Sequence, residues 1–239
     1  MALYRDQGVV LRTYKLGEAD RIVVILTRGN GKVRAVAKGV RKTKSRFGGR
    51  LEPGSHVNLL FYEGRELDIV TQAETLDHFR PLRDDLDLLG QAVSMLECCD
   101  QLAQEREANA RLYEMLVRGL RTLATGDSPL VVPAFFLKVL ALEGFRPQVE
   151  QCLVCGDDGP LVSWDIAGGG LCCAAHRQGT AVSPGAVAVL QAVLGGRLGS
   201  ALAGERRGPV VSEVDHLATR ALEHHLERRL RSVTALHRS

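Results

Sequence analysis

Short apolar and polar residues alternate along the first 80 positions. Gly8 to Tyr14, Arg21 to Thr27, Lys32 to Lys38, Val57 to Tyr62 and Glu66 to Ala73 are runs of strand type separated by turn residues. Gly29-Asn30-Gly31 joins the second run to the third and Glu63-Gly64-Arg65 joins the fourth to the fifth, so a meander with hairpins is expected. Five short strands in so little chain suit a small closed barrel, OB-like or SH3-like, and periodicity does not choose between the two.

From about Leu82 the period changes. Leu82 to Glu107 and Ala108 to Ala124 read as helices, with Leu86, Leu89, Val93, Leu96 and Cys99 forming one apolar face. Val131 to Glu143 is a strongly apolar helix closed by Gly144. Cys152 to Cys173 reads as a Gly-rich insert of short elements. Ser183-Pro184 starts a helix through Leu194, Gly195 to Gly204 reads as a loop, and a last helix runs from Ser212, with a capping-box pattern, to about Val233. In that helix Glu213 and Asp215 stand at the start and Arg228, Arg229 and Arg231 at the end, as the helix dipole prefers. The expected organisation is α+β: a five-stranded domain over 1–80, then a helical domain over 81–239 with an insert at about 150–180.

Charge adds a direction to this plan. Residues 1–80 carry 15 Lys+Arg against 9 Asp+Glu, whereas the rest carries 16 against 19. Between Arg28 and Arg50 there are nine basic residues and no acidic one. Alternation on the third strand puts Val33, Ala35 and Ala37 inward and Lys32, Arg34 and Lys38 outward. The Gly39 to Gly49 segment that follows is too rich in Gly and Lys/Arg to pack, so it reads as a mobile basic loop. Lys32, Arg34, Lys38, Arg41, Lys42, Lys44, Arg46 and Arg50 together form the electrostatic footprint of phosphate binding. Aromatic residues nearby are sparse (Tyr14, Phe47, Phe61, Tyr62), which favours sequence-tolerant contact with a nucleic-acid backbone over base readout.

Six cysteines occur as three close pairs, which in a reducing compartment points to metal ligation or packing before disulfides. Cys152-x-x-Cys155-Gly156 and Cys173-x-x-His176 have the look of a closed tetrahedral zinc site, with Cys172 as the alternative third ligand. Four protein ligands leave no open position, so the site reads as structural. Cys98 and Cys99 read as packing residues and His224-His225 as a solvated face. Catalytic templates fail: Gly29-Asn30-Gly31-Lys32 is not a P-loop, no HExxH is present, and His225-Leu226-Glu227 follows the cysteine pairs where a deaminase would need it before them. A zinc-dependent nucleic-acid-modifying enzyme and a non-catalytic scaffold remain the competing classes. No apolar run approaches the roughly 18 residues of a membrane span, and Met1 to Gly8 carries no signal-type stretch, so a cytoplasmic protein is expected.

At these residues the chain resembles the RecO family of bacterial recombination mediators. The likeness runs through Gly8-Val9-Val10-Leu11, Gly17-Glu18-Ala19-Asp20-Arg21, AVAKGVRKTKSRFGGRLEPGS (Ala35 to Ser55), ELDIVTQAE (Glu66 to Glu74) and ALEGFRPQVEQCLVCG (Ala141 to Gly156). The resemblance implies an N-terminal OB-fold, a helical domain interrupted by a zinc knuckle, DNA binding at Lys38, Arg41, Lys42, Lys44 and Arg46, and annealing of complementary strands. It also implies work with RecR and with the tail of the single-stranded-DNA-binding protein in loading the RecA recombinase. His176 stands where many relatives carry a fourth cysteine.

Overall fold

The computed structural model describes residues 2–126, 128–204 and 208–232, and the chain divides into two compact units, residues 1–124 with 232–239 and residues 125–231.

The first unit is built on a closed barrel of β1 (Leu3–Leu16), β2 (Asp20–Thr27), β3 (Gly31–Ala37), β4 (His56–Tyr62) and β5 (Asp68–Asp77) in the order β1-β2-β3-β5-β4. β1 is long enough to pair with β4 through its first half and with β2 through its second. An irregularity between Val10 and Arg12 bends it at the change of partner. The two hairpins are present, but the strands do not form the simple meander expected. β3 turns its free edge to β5, in parallel, at Ala35↔Asp68 and Val36↔Ile69. The chain must therefore cross the barrel end between β3 and β4. Residues 38–55 make that crossing, and they do not float free as the sequence suggested. Phe47 and Leu51, on and beside the 3-10 turn Gly48–Leu51, are 2% and 1% exposed and plug the barrel among Val10, Ile25 and Phe61. Burial of the Phe47 ring and the Leu51 side chain contributes about 2 kcal/mol each to anchoring the segment.

Three helices complete this unit: α1 (Arg80–Asp84), α2 (Leu86–Leu102) and α3 (Ala110–Leu123). The single helix expected from Leu82 breaks at Asp85, whose carboxylate caps α2 by accepting from the N–H groups of Asp87 and Leu88. The apolar stripe is inward only over the later turns of α2. Leu96 and Cys99 are buried beside Ala92 and Met95, whereas Leu86, Leu89 and Val93 are 83%, 37% and 39% exposed. Cys98 and Cys99 are fully buried packing residues.

The link between α2 and α3 acts as a strap on the barrel. The Lys32 N–H donates to the carbonyl of Gln104, and the Arg106 N–H donates back to the carbonyl of Lys32. The strap comes so close that a Cβ on Gly31 (φ +63) would stand 1.9 Å from the carbonyl oxygen of Glu107. Arg106 then reaches Asp68 at 2.6 Å. That carboxylate is fully buried, and it also accepts from the Tyr4 hydroxyl and from the N–H of Gly64. Burial pushes the Asp68 carboxyl up, but the bonds from Arg106, Tyr4 and Gly64 outweigh it and hold the group below the ordinary carboxylate range.

In the second unit α4 (Val131–Leu142) packs against α5 (Pro184–Leu194) and α7 (Pro209–His225), beside a small sheet ordered β7-β6-β8 (Gly170–Cys173, Leu161–Asp165, Thr180–Ala181). Gly144, at φ +89, ends the α4 segment as a left-handed residue, and the Ser183 hydroxyl caps α5. Two expectations need correction. A short helix, α6 (Leu198–Leu202), occupies part of the expected loop. The last long helix starts at Pro209, without a capping box at Ser212, and ends at His225; Glu227 follows in the left-handed region at φ +51. Arg228, Arg229 and Arg231 therefore lie past its C-terminus, and Val233 falls outside the described residues.

Candidate metal centre and basic barrel edge

The metal-type site is assembled from two tight turns of the second unit. In the first, the Cys152 N–H donates to the carbonyl of Asp157 and the Gly156 N–H to the carbonyl of Cys152. Gly156 sits at φ +74, a conformation that suits glycine. In the second, β7 delivers Cys173 and the 3-10 turn Ala174–His176 brings His176 round beside it. The donor atoms of Cys152, Cys155, Cys173 and His176 all lie within 4.8 Å of one another. Cys155 Sγ is 3.9 Å from Cys173 Sγ, and His176 Nδ1 is 3.4 Å from Cys173 Sγ and 4.0 Å from Cys152 Sγ. These are the edge lengths of a tetrahedron around one ion, for which two thiolates at about 2.3 Å stand about 3.8 Å apart.

Of the adjacent cysteines, Cys173 is the one whose sulfur joins the other three donor atoms, and Cys172 is fully buried. The thiols are not alike: the Asp157 N–H pulls the Cys155 thiol down, but burial and the neighbouring Cys152 and Cys173 sulfurs outweigh it and push it up, whereas Cys152 is biased towards thiolate. Backbone N–H groups of Cys155 and Cys173 aim at the Cys152 sulfur and hold its thiol down at about 6. Burial, in contrast, pushes the Cys172 thiol up.

The basic residues of the first unit fall into two groups. Val33, Ala35 and Ala37 point inward, each fully buried, and Lys32 and Arg34 point outward. Yet Lys32 is only 14% exposed, and its ammonium lies 2.7 Å from the Asp100 carbonyl oxygen and 3.7 Å from the Asp100 carboxylate on α2. Arg12 meets the same carboxylate at 2.9 Å. Arg34 has Glu105 of the strap at 3.9 Å. Lys38, Arg41, Lys42, Lys44, Arg46 and Arg50 are all exposed, and among the described residues none of the six forms an ion pair. Arg41 donates to the carbonyls of Gly17 and Glu18, Arg50 donates to those of Arg46 and Phe47, and the Arg46 guanidinium lies over the Phe47 ring. These contacts to neutral groups shape the loop without neutralising it.

Sequence reasoning did not find a cleft of about 450 Å³ in the second unit, lined by Leu140, Phe145, Arg146, Trp164, His224 and His225 among others. The His225 ring is 4.1 Å from that of Phe145, so the histidine pair is part of a wall and not simply a solvated face. The Trp164 side chain is fully buried and its Nε1–H has no partner among the described residues.

A five-stranded OB-like barrel with an uncompensated cationic loop and a Cys3His cluster that could hold a metal ion defines a modular protein. The chain belongs to the RecO family. The family's N-terminal description, "Recombination protein O N terminal", matches residues 1–79 and its C-terminal one, "Recombination protein O C terminal", matches residues 83–234. Proteins called DNA repair protein RecO are similar to it over their full length: 45% identity in Frankia casuarinae and 43% in Thermobifida fusca, each covering 100% of both chains. The Streptomyces griseus protein is 44% identical, covering 98% of both.

Proposed function

We propose that this chain is a DNA-binding recombination mediator that anneals complementary strands and helps load the RecA recombinase together with RecR, without catalysing a bond change of its own. The observation that carries the reading is the row of six exposed cations, Lys38 to Arg50, lacking acidic partners among the described residues and carried on the segment that crosses the barrel end. Two negatively charged strands repel, and a surface of this kind lowers the repulsion without nucleotide hydrolysis. DNA binding is assigned to residues 1–80, with Lys38, Arg41, Lys42, Lys44, Arg46 and Arg50 as the phosphate-contacting set. Lys32 and Arg34 act mainly by holding the barrel to α2 and the strap. Residues 81–239 form the helical part, with the metal-binding insert at about 150–180.

The ion held by Cys152, Cys155, Cys173 and His176 is zinc, in a closed structural site. Three thiolates and an imidazole favour it over magnesium or calcium, which take oxygen ligands. With all four positions filled by protein, the ion would cross-link two turns and offer no site for water. The tail of the single-stranded-DNA-binding protein, a short acidic segment with a hydrophobic end, is assigned to the cleft at Phe145, Arg146, Trp164 and His225. Arg146 and the histidines would meet its acids and the ring faces its apolar end. No helix among the described residues is long and apolar enough to cross a membrane, and the protein is placed with DNA in the cytoplasm, at the nucleoid.

The test is a DNA titration at two salt concentrations, followed by a search for any covalent product. Binding that weakens steeply with salt, with no product formed, is the expected result. Salt-independent binding, or a processed strand, overturns the proposal.

A further inference from the structure

Pairing across the barrel aligns residues that are far apart in sequence. Tyr14 stands opposite Ile22, Ile22 opposite Val36, and Val36 opposite Ile69. The row continues from Ile69 to Tyr62 and from Tyr62 to Leu3. Directly paired residues share a face, and the neighbours Val23, Ala35, Val70 and Phe61 are in the barrel core, so all six side chains of the row point outward. They are not covered as apolar residues usually are: Tyr14 is 43% exposed, Tyr62 37% and Leu3 61%, while Ile22, Val36 and Ile69 are half-buried.

Charge borders the Tyr14 end of this row. Arg12 and Arg34 lie two residues back along β1 and β3, and Lys38 lies two residues on from Val36. The basic loop adjoins the same end, because Arg41 is bonded to the carbonyls of Gly17 and Glu18 in the β1–β2 turn. The Tyr14 ring is also held in place. The Arg12 guanidinium lies 5.0 Å from its centroid and is itself anchored at 2.9 Å to Asp100, which is buried. A tyrosine fixed in this way keeps an exposed ring at little entropic cost.

We infer that the row Tyr14–Ile22–Val36–Ile69 is a stacking platform for the unpaired bases of single-stranded DNA, with its phosphates on Lys38 and the adjoining basic loop. The inference rests on the DNA-binding reading above and adds to it a preference for single strands. Flat apolar faces bordered by phosphate are what an unpaired strand offers; a duplex buries its base faces and presents phosphate alone. Three inter-strand steps span about 14 Å, enough for several bases at the roughly 3.4 Å spacing of a stacked strand. Tyr14 is the residue whose loss removes most of the platform's aromatic surface.

The experiment compares wild type, Tyr14→Ala and Tyr14→Phe for binding to an oligothymidylate and to a blunt duplex, with Tyr14→Trp as an independent reporter. Tyr14→Ala should lose at least about fivefold in single-strand affinity, the low end for one stacked base. Its duplex affinity and salt slope should be unchanged, and Tyr14→Phe should restore single-strand binding. In Tyr14→Trp, oligothymidylate should quench the new emission while inorganic polyphosphate does not; Trp164 is fully buried and gives a constant background. An unchanged ratio of single-strand to duplex affinity in Tyr14→Ala, or equal quenching by polyphosphate, overturns the platform and leaves phosphate binding standing. A row that receives a protein would leave both DNA readouts flat and overturn it likewise. Wild type that binds neither form of DNA defeats both readings together.

Discussion

The division of the basic residues into paired and unpaired groups gives a quantitative prediction. Arg41, Lys42, Lys44 and Arg46 are exposed and lack acidic partners, so each is free to displace one condensed counterion from a strand. Each phosphate contact on single-stranded DNA adds about 0.7 to the slope of log K against log salt, and replacing the four by Ala should flatten that slope by about 2.8. Raising salt fourfold, from about 50 to about 200 mM, should therefore cost wild type about 50-fold more affinity than the variant. The fold should survive, since the anchor of this loop is Phe47. Lys32→Ala is the internal control. It removes one positive charge from the strand that leads into the loop, but that charge is already committed to Asp100. Its salt slope should stay within experimental error of wild type, while stability falls by about 1–3 kcal/mol for an acid left short of a partner. The assay is fluorescence anisotropy with two unrelated oligonucleotides at four or five salt concentrations. A quadruple variant with the wild-type slope, or a Lys32→Ala variant with a flattened one, would refute the partition.

Three further outcomes are expected. Purified protein should contain about one zinc per chain by elemental analysis, and Cys155→Ser or chelation should lower the thermal midpoint without changing DNA affinity at low temperature; metal-free protein of unchanged stability would sink the zinc assignment. Arg106→Ala should destabilise by about 2–4 kcal/mol in urea melts, the lower part of the range for a broken buried pair because Arg106 is 44% exposed. Asp68 has a depressed folded pKa, so its stabilisation in wild type is present above the unfolded carboxylate pKa and is lost as pH falls through the folded value. The deficit of Arg106→Ala should accordingly be largest near neutral pH and shrink in acid; a deficit independent of pH would contradict the ion pair. Finally, complementary strands coated with single-stranded-DNA-binding protein should anneal faster with this protein and no nucleotide. That acceleration should fall when the partner's tail is deleted or when Phe145→Ala and Arg146→Ala are combined, and no loss in either case would remove the cleft from the docking route.

The strand runs were readable because alternation on a barrel wall is a local signal, and the CxxC and CxxH turns were readable because ligand spacing within a turn is fixed by the turn. What escaped depended on partners distant in the chain. Lys32 reads as an outward cation, and nothing nearby in sequence says that Asp100, 68 residues on, will take it up. Phe47 lies in a run of glycines and basic residues that gives no sign of a barrel plug. Leu86 and Val93 keep helical spacing with Leu96, yet spacing cannot say where a helix outruns the surface it packs on. The spacing left both Cys172 and Cys173 open, and Cys173 stands out only once the two turns are brought together in space. The aromatic sparseness noted in sequence was a one-dimensional count. Tyr14, Ile22, Val36 and Ile69 become neighbours only once the strand register is set.

The strap from Gln104 to Arg106 also governs how this chain can be cut. A fragment ending at the last strand, near residue 80, would keep every strand of the barrel and still lose the hydrogen bonds that cover the β3 backbone at Lys32. An uncovered edge of that kind is a template for another chain. The same cut would strip the guanidinium from a carboxylate that has no access to water. Such a fragment should associate through the open β3 edge, as dimers or larger aggregates, where a fragment carried through Leu123 stays monodisperse. The smallest self-sufficient form of the barrel therefore includes helices that contribute no strand to its wall.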